Sequence, residues 1–302
     1  MQTSTASTTK TPFDPIYVAL TLTALLWSSN FVIGRAIHEE VTPATMNFLR
    51  WAIALVVLVP VTLVDLRRHR AILLGHWKLV ALLGLTGIAA FQTLCYFALT
   101  QTTALNTILL LSLAPLAIVV LSWLTLGERL SRAQGLGLVT SLGGAAVLIL
   151  HGDAAALVEL RFNAGDLWML IAVGLWAIYS VLLKRRPADM PPLALHTASV
   201  GAGTLWMLPL FAWETALGSG LPTASAAWAA IGFVAVFSSA IAHAMWVRGV
   251  ASIGPSRAGV FIHLMPLFGA VLAITFLGEE LATHHVLGAA LVLCGVALAS
   301  RK

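Results

Sequence analysis

Neutral polar and aromatic residues gather at four places in an otherwise apolar chain. They are Trp27, Ser28, Ser29 and Asn30; Gln92, Thr93 and Tyr96; Trp176, Tyr179 and Ser180; and Ser238, Ser239, His243 and Trp246. His263 stands in a fifth apolar run. Rings with a few hydrogen-bonding groups suit the binding of a small amphipathic solute. A zwitterion fits such a place, because its charged ends need polar partners once desolvated while its side chain meets rings. Catalysis is not indicated. The chain has no HExxH, no GxSxG, no phosphate-binding Walker sequence and no pair of aspartates within its apolar runs. The candidate substrate-binding residues are Trp27, Ser28, Asn30, Gln92, Tyr96, Trp176, Tyr179, His243, Trp246 and His263. No catalytic residue, cofactor or metal is expected, since His243 and His263 have no third ligand in view.

Each candidate has a plainer alternative. Trp27 and Trp176 can serve as packing between helices, and His243 and His263 as satisfied neutral imidazoles. Asn30 and Gln92 would be costly against lipid, so they face a cavity or hydrogen-bond to another helix. Cys95 and Cys294 lack metal-ligand spacing and read as small buried apolar residues. His284 and His285 read as solvated.

The elements that must position these residues are membrane helices. The chain of 302 residues is 59% hydrophobic and 10% charged, with mean hydropathy +0.94. A soluble domain carries about a quarter charged residues, whereas lipid accepts apolar surface. Ten stretches approach the roughly 20 residues of a spanning helix: 15–37, 43–64, 78–99, 103–126, 131–150, 166–185, 191–213, 226–250, 255–277 and 282–300. Residues 1–14 are Thr/Ser-rich and expected to be disordered. The first stretch does not read as a cleaved signal peptide, because its apolar run continues into WSSNFVIGR with no small-x-small site.

The second half repeats the first. WSSNFVIGR at Trp27 returns as WAIYSVLLK at Trp176, 149 residues later. LAPLAIVVLSWLTLGERL at Leu113 returns as LMPLFGAVLAITFLGEEL at Leu264, 151 residues later, with Pro115 on Pro266 and Glu128 on Glu279. The expected organisation is a five-helix repeat at 15–150, a linker at 151–163 and a second repeat at 164–302. Five spans per half is odd, so the halves are expected to insert upside down relative to each other, with the binding site between them near the bilayer midplane. With the N-terminus in the cytoplasm, 14 of the 17 Lys and Arg residues fall inside, leaving Arg35, Arg50 and Arg161. The positive-inside rule then puts both termini in the cytoplasm. The change from LGERL to LGEEL follows the same rule: Arg129 falls inside and Glu280 outside. Net charge +5 is therefore an orientation signal, not a nucleic-acid one.

These features resemble the ten-helix EamA type of the drug/metabolite transporter superfamily over residues 15–300. The resemblance rests on TPATMNFLRWAIAL, on Pro115 followed by LGERL, on Pro266 followed by LGEEL, and on the small-residue helix after each. It implies an all-α membrane protein in the bacterial plasma membrane. It also implies export of amino acids or related metabolites, and among these it resembles most the exporters of aromatic and hydrophobic amino acids. The expected partners are a small-molecule substrate and the lipid bilayer, with no nucleic acid, for a monomer or weak homodimer. Gly137, Ser141 and Gly144 make a smooth face on the fifth span, and Gly288 and Gly295 on the tenth. These two spans are expected to be scaffold, with spans 1, 3, 4, 6, 8 and 9 lining the path.

No Asp or Glu lies in the middle third of any span, which disfavours carboxylate-gated proton exchange. Arg50 lies about 10 Å inside the second span at 1.5 Å per residue. It could bind a substrate carboxylate, meet helix-end carbonyls, or snorkel outward; structural anchoring is the favoured expectation. Arg248 reads as a cytoplasmic anchor, and Glu128 and Glu279 as loop caps. Efflux of lipophilic cations is the alternative function, because rings bind cations without a carboxylate. Exchange of phosphorylated sugars or nucleotide-sugars ranks below it, since Arg50 is the available buried base. A passive channel and an intramembrane enzyme rank lowest.

Overall fold

The computed structural model describes residues 14–37, 39–101, 107, 110–150, 164–218, 221–277 and 282–299. The expected disordered start, the linker at 151–163 and the expected cap Glu279 lie outside these residues, except Asp14. Among the described residues every regular element is helical. The longer helices are α1 Pro15–Ala36, α2 Pro43–Arg68, α3 Trp77–Gln101, α4 Ala114–Leu126, α5 Arg132–Ile149, α6 Ala164–Lys184, α7 Pro192–Ala216, α8 Ser225–Ile253, α9 Leu264–Leu277 and α10 Thr283–Ala299. By length and composition, six are apolar enough to cross a membrane: α1 (over Pro15–Gly34), α2, α3, α6, α7 and α8.

Local chemistry sets the ends. Asp14 is not loose chain; its carboxylate accepts from the Ile16 N–H at 3.0 Å and caps α1, with Pro15 as first helical residue. Thr42 and Pro43 open α2 in the same way. Gly127 ends α4 in the left-handed conformation (φ 68°), where a side chain would be strained. Four residues on, Ser131 and Gln134 form a reciprocal capping box that starts α5.

The helices are sorted by face. On α2 the buried face runs Asn47, Arg50, Trp51, Ala54, Leu58 and Thr62, at helical spacing. The opposite face exposes Val56, Val57, Val61 and Val64, an apolar strip that water would penalise and lipid does not. Trp206, Trp213 and Leu205 of α7 are exposed likewise.

Two pairs of helices cross in antiparallel fashion. A Cβ on Gly137 would lie 2.6 Å from the Gly295 carbonyl, and one on Gly144 2.8 Å from the Gly288 carbonyl. Ascending numbers on α5 thus meet descending numbers on α10, at a separation only glycine permits. Thr42, Phe48 and Thr62 of α2 meet Glu214, Phe211 and Thr197 of α7 in the same descending order.

Regular helix fails at matching places. The π segments Gly84–Ala90 in α3 and Val234–Ile241 in α8 lie 150 residues apart at their starts. Asn47 Nδ2 donates across to the Ile88 and Ala89 carbonyls, 3.3 and 3.1 Å away, which meets acceptors that the π turn leaves. Helix α4 begins only at Ala114, after a turn at Ser112 and Leu113, and a 3-10 turn at Phe261–His263 separates the short helix Pro255–Val260 from α9. The continuous stretches expected at 103–126 and 255–277 are therefore interrupted near Pro115 and Pro266. Each proline lacks the N–H that would serve the carbonyl four residues back, Leu111 or Ile262.

Candidate functional site

A narrow cavity lies among the helices, confined to crevices between side chains. Its walls are Trp27, Asn30 and Phe31 of α1, Phe91 and Gln92 of α3, Trp176 of α6 and His243 of α8. Leu111, Ile262 and Met265 complete it. Leu111 and Ile262 are the two residues whose carbonyls the prolines leave without a helical donor.

Rings build most of the wall. The Trp27 and Trp176 rings meet edge to face, with centroids 5.2 Å apart. Trp176 also packs on Phe91 (4.7 Å), Tyr179 (5.2 Å) and Trp246 (5.3 Å). Each such pair is worth about 0.5–1.5 kcal/mol beyond its buried area, which holds the rings in fixed orientations. Tyr179 fits because Gly87 faces it; a Cβ there would sit 2.2 Å from the ring.

The polar atoms are incompletely used. Trp27 Nε1 donates to the Ser238 carbonyl at 3.1 Å, and His243 Nδ1 lies 2.9 Å from the same oxygen. Trp27 Nε1 also lies 3.3 Å from His243 Nδ1, and whichever ring nitrogen carries the hydrogen, Nε2 is left without a partner among the described residues. His243 Nε2, Gln92 Nε2, Trp176 Nε1, Trp246 Nε1 and the Tyr179 hydroxyl are buried with no hydrogen-bond partner among the described residues. Buried polar groups are nearly always paired, so such a concentration marks a place for water or a ligand.

Behind Asn30 lies a positive charge. Arg50 is 1% exposed, so it does not snorkel outward. Its Nε donates to Ser239 Oγ (2.8 Å), and its Nη1 to the Tyr96 hydroxyl (2.9 Å) and Asn30 Oδ1 (3.4 Å). Tyr96 in turn donates to Asn30 Oδ1 at 3.1 Å. The guanidinium also stacks 5.1 Å above the Trp51 ring. Arg50 thus ties α2 to α1, α3 and α8 through neutral oxygens.

Of the residues singled out from the sequence, the structure brings Trp27, Asn30, Gln92, Trp176 and His243 to the cavity wall. Trp246 and Tyr179 stand in a second layer against Trp176, and Tyr96 belongs to the Arg50 cluster. Ser28 and His263 are placed elsewhere. Ser28 Oγ donates to the Met265 carbonyl at 2.9 Å and joins α1 to α9. His263 lies with Nε2 3.0 Å from the Ser112 carbonyl and Nδ1 2.7 Å from Ser141 Oγ, so both ring nitrogens are engaged. Glu128 accepts from Ser256 Oγ at 3.1 Å, across the loops it was expected to cap.

Trp51 and His196 escaped the sequence reading. The His196 ring lies parallel to that of His243, with centroids 6.0 Å apart, and Trp51 stands edge-on to both. A signal existed: Asn47 follows Pro43 by four residues, and His196 follows Pro192 by four. Polar residues at one membrane depth in both halves are a functional marker. Among the described residues no group of three or more His, Cys, Asp or Glu could hold a metal ion.

Known proteins share this architecture. A solved crystal structure superposes with TM-score 0.76 at 21% identity, covering 95% of this chain and 96% of that one. A probable terminal-alkyne amino-acid exporter of Streptantibioticus cattleyicolor is 30% identical over 286 residues, 94% of this chain and 93% of its own. The uncharacterized transporter YyaM of Bacillus subtilis is 26% identical over 287 residues, with the same coverage of both chains. The EamA-like transporter family matches twice, over residues 15–150 and again over 163–301. The relatives are transporters, not enzymes, and the chain is a multi-pass membrane protein that belongs to the EamA-like transporter family.

Proposed function

We propose that this protein exports amino acids, aromatic and hydrophobic ones foremost, across the bacterial plasma membrane by alternating access. The observation that carries the reading is the ring-walled cavity, several of whose buried polar atoms lack partners among the described residues. Rings would receive an apolar side chain, and bare donors and acceptors the charged ends of a zwitterion. The amino-acid exporter among the relatives supports the substrate class.

The machine would be ten spans in two inverted five-helix repeats, 15–150 and 164–302. Equivalent residues of the two halves meet each other: Trp27 with Trp176, and Ser112 with His263. Equivalent helices, α5 with α10 and α2 with α7, run antiparallel, as inversion requires. Residues assigned to one side also meet. Thr42 donates to Glu214 on the proposed outer side, and Ser256 to Glu128 on the cytoplasmic side that would hold both termini. The cavity is built within one chain, so a monomer or a weak dimer suffices, with the solute and the bilayer as partners.

Lipophilic cations are the competing cargo, favoured by the rings alone. The buried Arg50 charge beside Asn30 opposes them. Phosphorylated sugars would need several buried bases, and Arg50 is the one Lys or Arg in the buried class among the described residues. Counterflow in proteoliposomes preloaded with each of the common amino acids tests the proposal. Saturable uptake of labelled phenylalanine or leucine is expected; no flux across the whole panel would refute it.

A further inference from the structure

We infer that Arg50 is the carboxylate-recognising residue of the transport site, so that the cargo must carry a carboxylate. The inference rests on the amino-acid reading but narrows it to one chemical group and one side chain. Every hydrogen bond that Arg50 makes among the described residues ends on a neutral oxygen: Ser239 Oγ, Tyr96 Oη or Asn30 Oδ1. These use Nε and Nη1. The second amino group, Nη2, has no acceptor among the described residues. No carboxylate of the described residues is bonded to the guanidinium.

A cation held 1% exposed at membrane depth, with no counter-ion among the described residues, is expensive, and a bound anion would offset much of that cost. The place for the anion is set by Asn30. Asn30 both lines the cavity and accepts the longest of the three Arg50 bonds, 3.4 Å, so it is the partner most easily exchanged. A carboxylate taking over that position would meet Nη1 and Nη2 together, the two-pronged geometry for which guanidinium is suited. The other bonds, to Ser239 in the π segment and to Tyr96, would hold the fork still meanwhile. A structural anchor alone would need no unfilled amino group.

The test is binding to the full chain in lipid nanodiscs, read by quenching of tryptophan fluorescence. The probes are phenylalanine and leucine, their decarboxylated amines, and the corresponding acids without the amino group. The wild-type protein is expected to prefer each carboxylate over its amine by about 30-fold or more, the scale of a desolvated charge pair. In Arg50→Gln that preference should vanish: the carboxylates bind more weakly, and the cationic amines, no longer opposed by the guanidinium charge, bind at least as tightly as to the wild type. Arg50→Lys should keep part of it, since the charge remains and the fork is lost. Equal wild-type binding of amines and carboxylates overturns the inference, and needs no variant to fold. So does Arg50→Gln binding phenylalanine as tightly as wild type. If the acids bind and the amino acids do not, the carboxylate role stands and the amino-acid reading falls. If no probe binds the wild type, both fall.

Discussion

Trp27 stands edge-on to Trp176 at 85°, with ring centroids 5.2 Å apart, and the two tryptophans hold the same place in the two halves of the chain. A residue meeting its own repeat equivalent lies on the line between the halves. The cavity wall therefore contains that line, and rocking one half against the other would change the wall first.

Trp176→Phe tests both packing and recognition at this place. The phenyl ring keeps contacts with Trp27, Phe91 and Tyr179 but removes three ring atoms together with an indole N–H that has no partner among the described residues. Stability should fall by about 1–3 kcal/mol, the cost of a partial large-to-small change in a core. Affinity for the transported solute should fall several-fold, corresponding to a lost hydrogen bond of about 1 kcal/mol. Thermal unfolding beside counterflow KM checks it; unchanged KM would remove Trp176 Nε1 from the site.

His263→Phe should affect stability alone. It removes the two hydrogen bonds that tie His263 to the Ser112 carbonyl and to Ser141 Oγ, each worth about 1 kcal/mol. The protein should lose thermal stability while the KM of what remains folded stays at the wild-type value. A KM shift without a fall in Tm would put His263 in the transport path after all.

The crossing of α5 and α10 gives a sharp stability contrast. Gly144→Ala puts a Cβ 2.6 Å from the Val292 nitrogen, backbone that cannot step aside. It should destabilise by about 1–3 kcal/mol, the usual penalty for overpacking. One residue earlier, a Cβ on Gly143 meets nothing within 4 Å. Gly143→Ala should be neutral or stabilising by up to about 1 kcal/mol through helix propensity. Detergent-solubilised melting curves of the two variants suffice.

Inversion of the halves predicts a labelling pattern. In a Cys294→Ser background, with Cys95 buried, a membrane-impermeant maleimide applied to intact cells should react with Glu40→Cys but not with Arg132→Cys or Arg185→Cys. Reaction of all three from outside would end the proposed orientation.

The sequence alone determined that this is a helical membrane protein with matching halves, because lipid selects helix-length apolar runs and duplication leaves a register of prolines, glycines and acids. It also pointed to Trp27, Asn30, Gln92, Trp176 and His243, since polar or ring groups at membrane depth are costly unless used. The rest depended on which way each side chain turns. Ser28 and His263 share the same composition signal but point into helix contacts, while Trp51 and His196 face His243. Arg50 reads from sequence as an anchor more readily than as a ligand. Only the fold surrounds it with neutral oxygens from three other helices, so that no partner of its charge among the described residues is an acid. Hydrophobic periodicity assigns a residue to a helix, but its partners come from helices dozens to two hundred residues away, and no local pattern encodes that meeting.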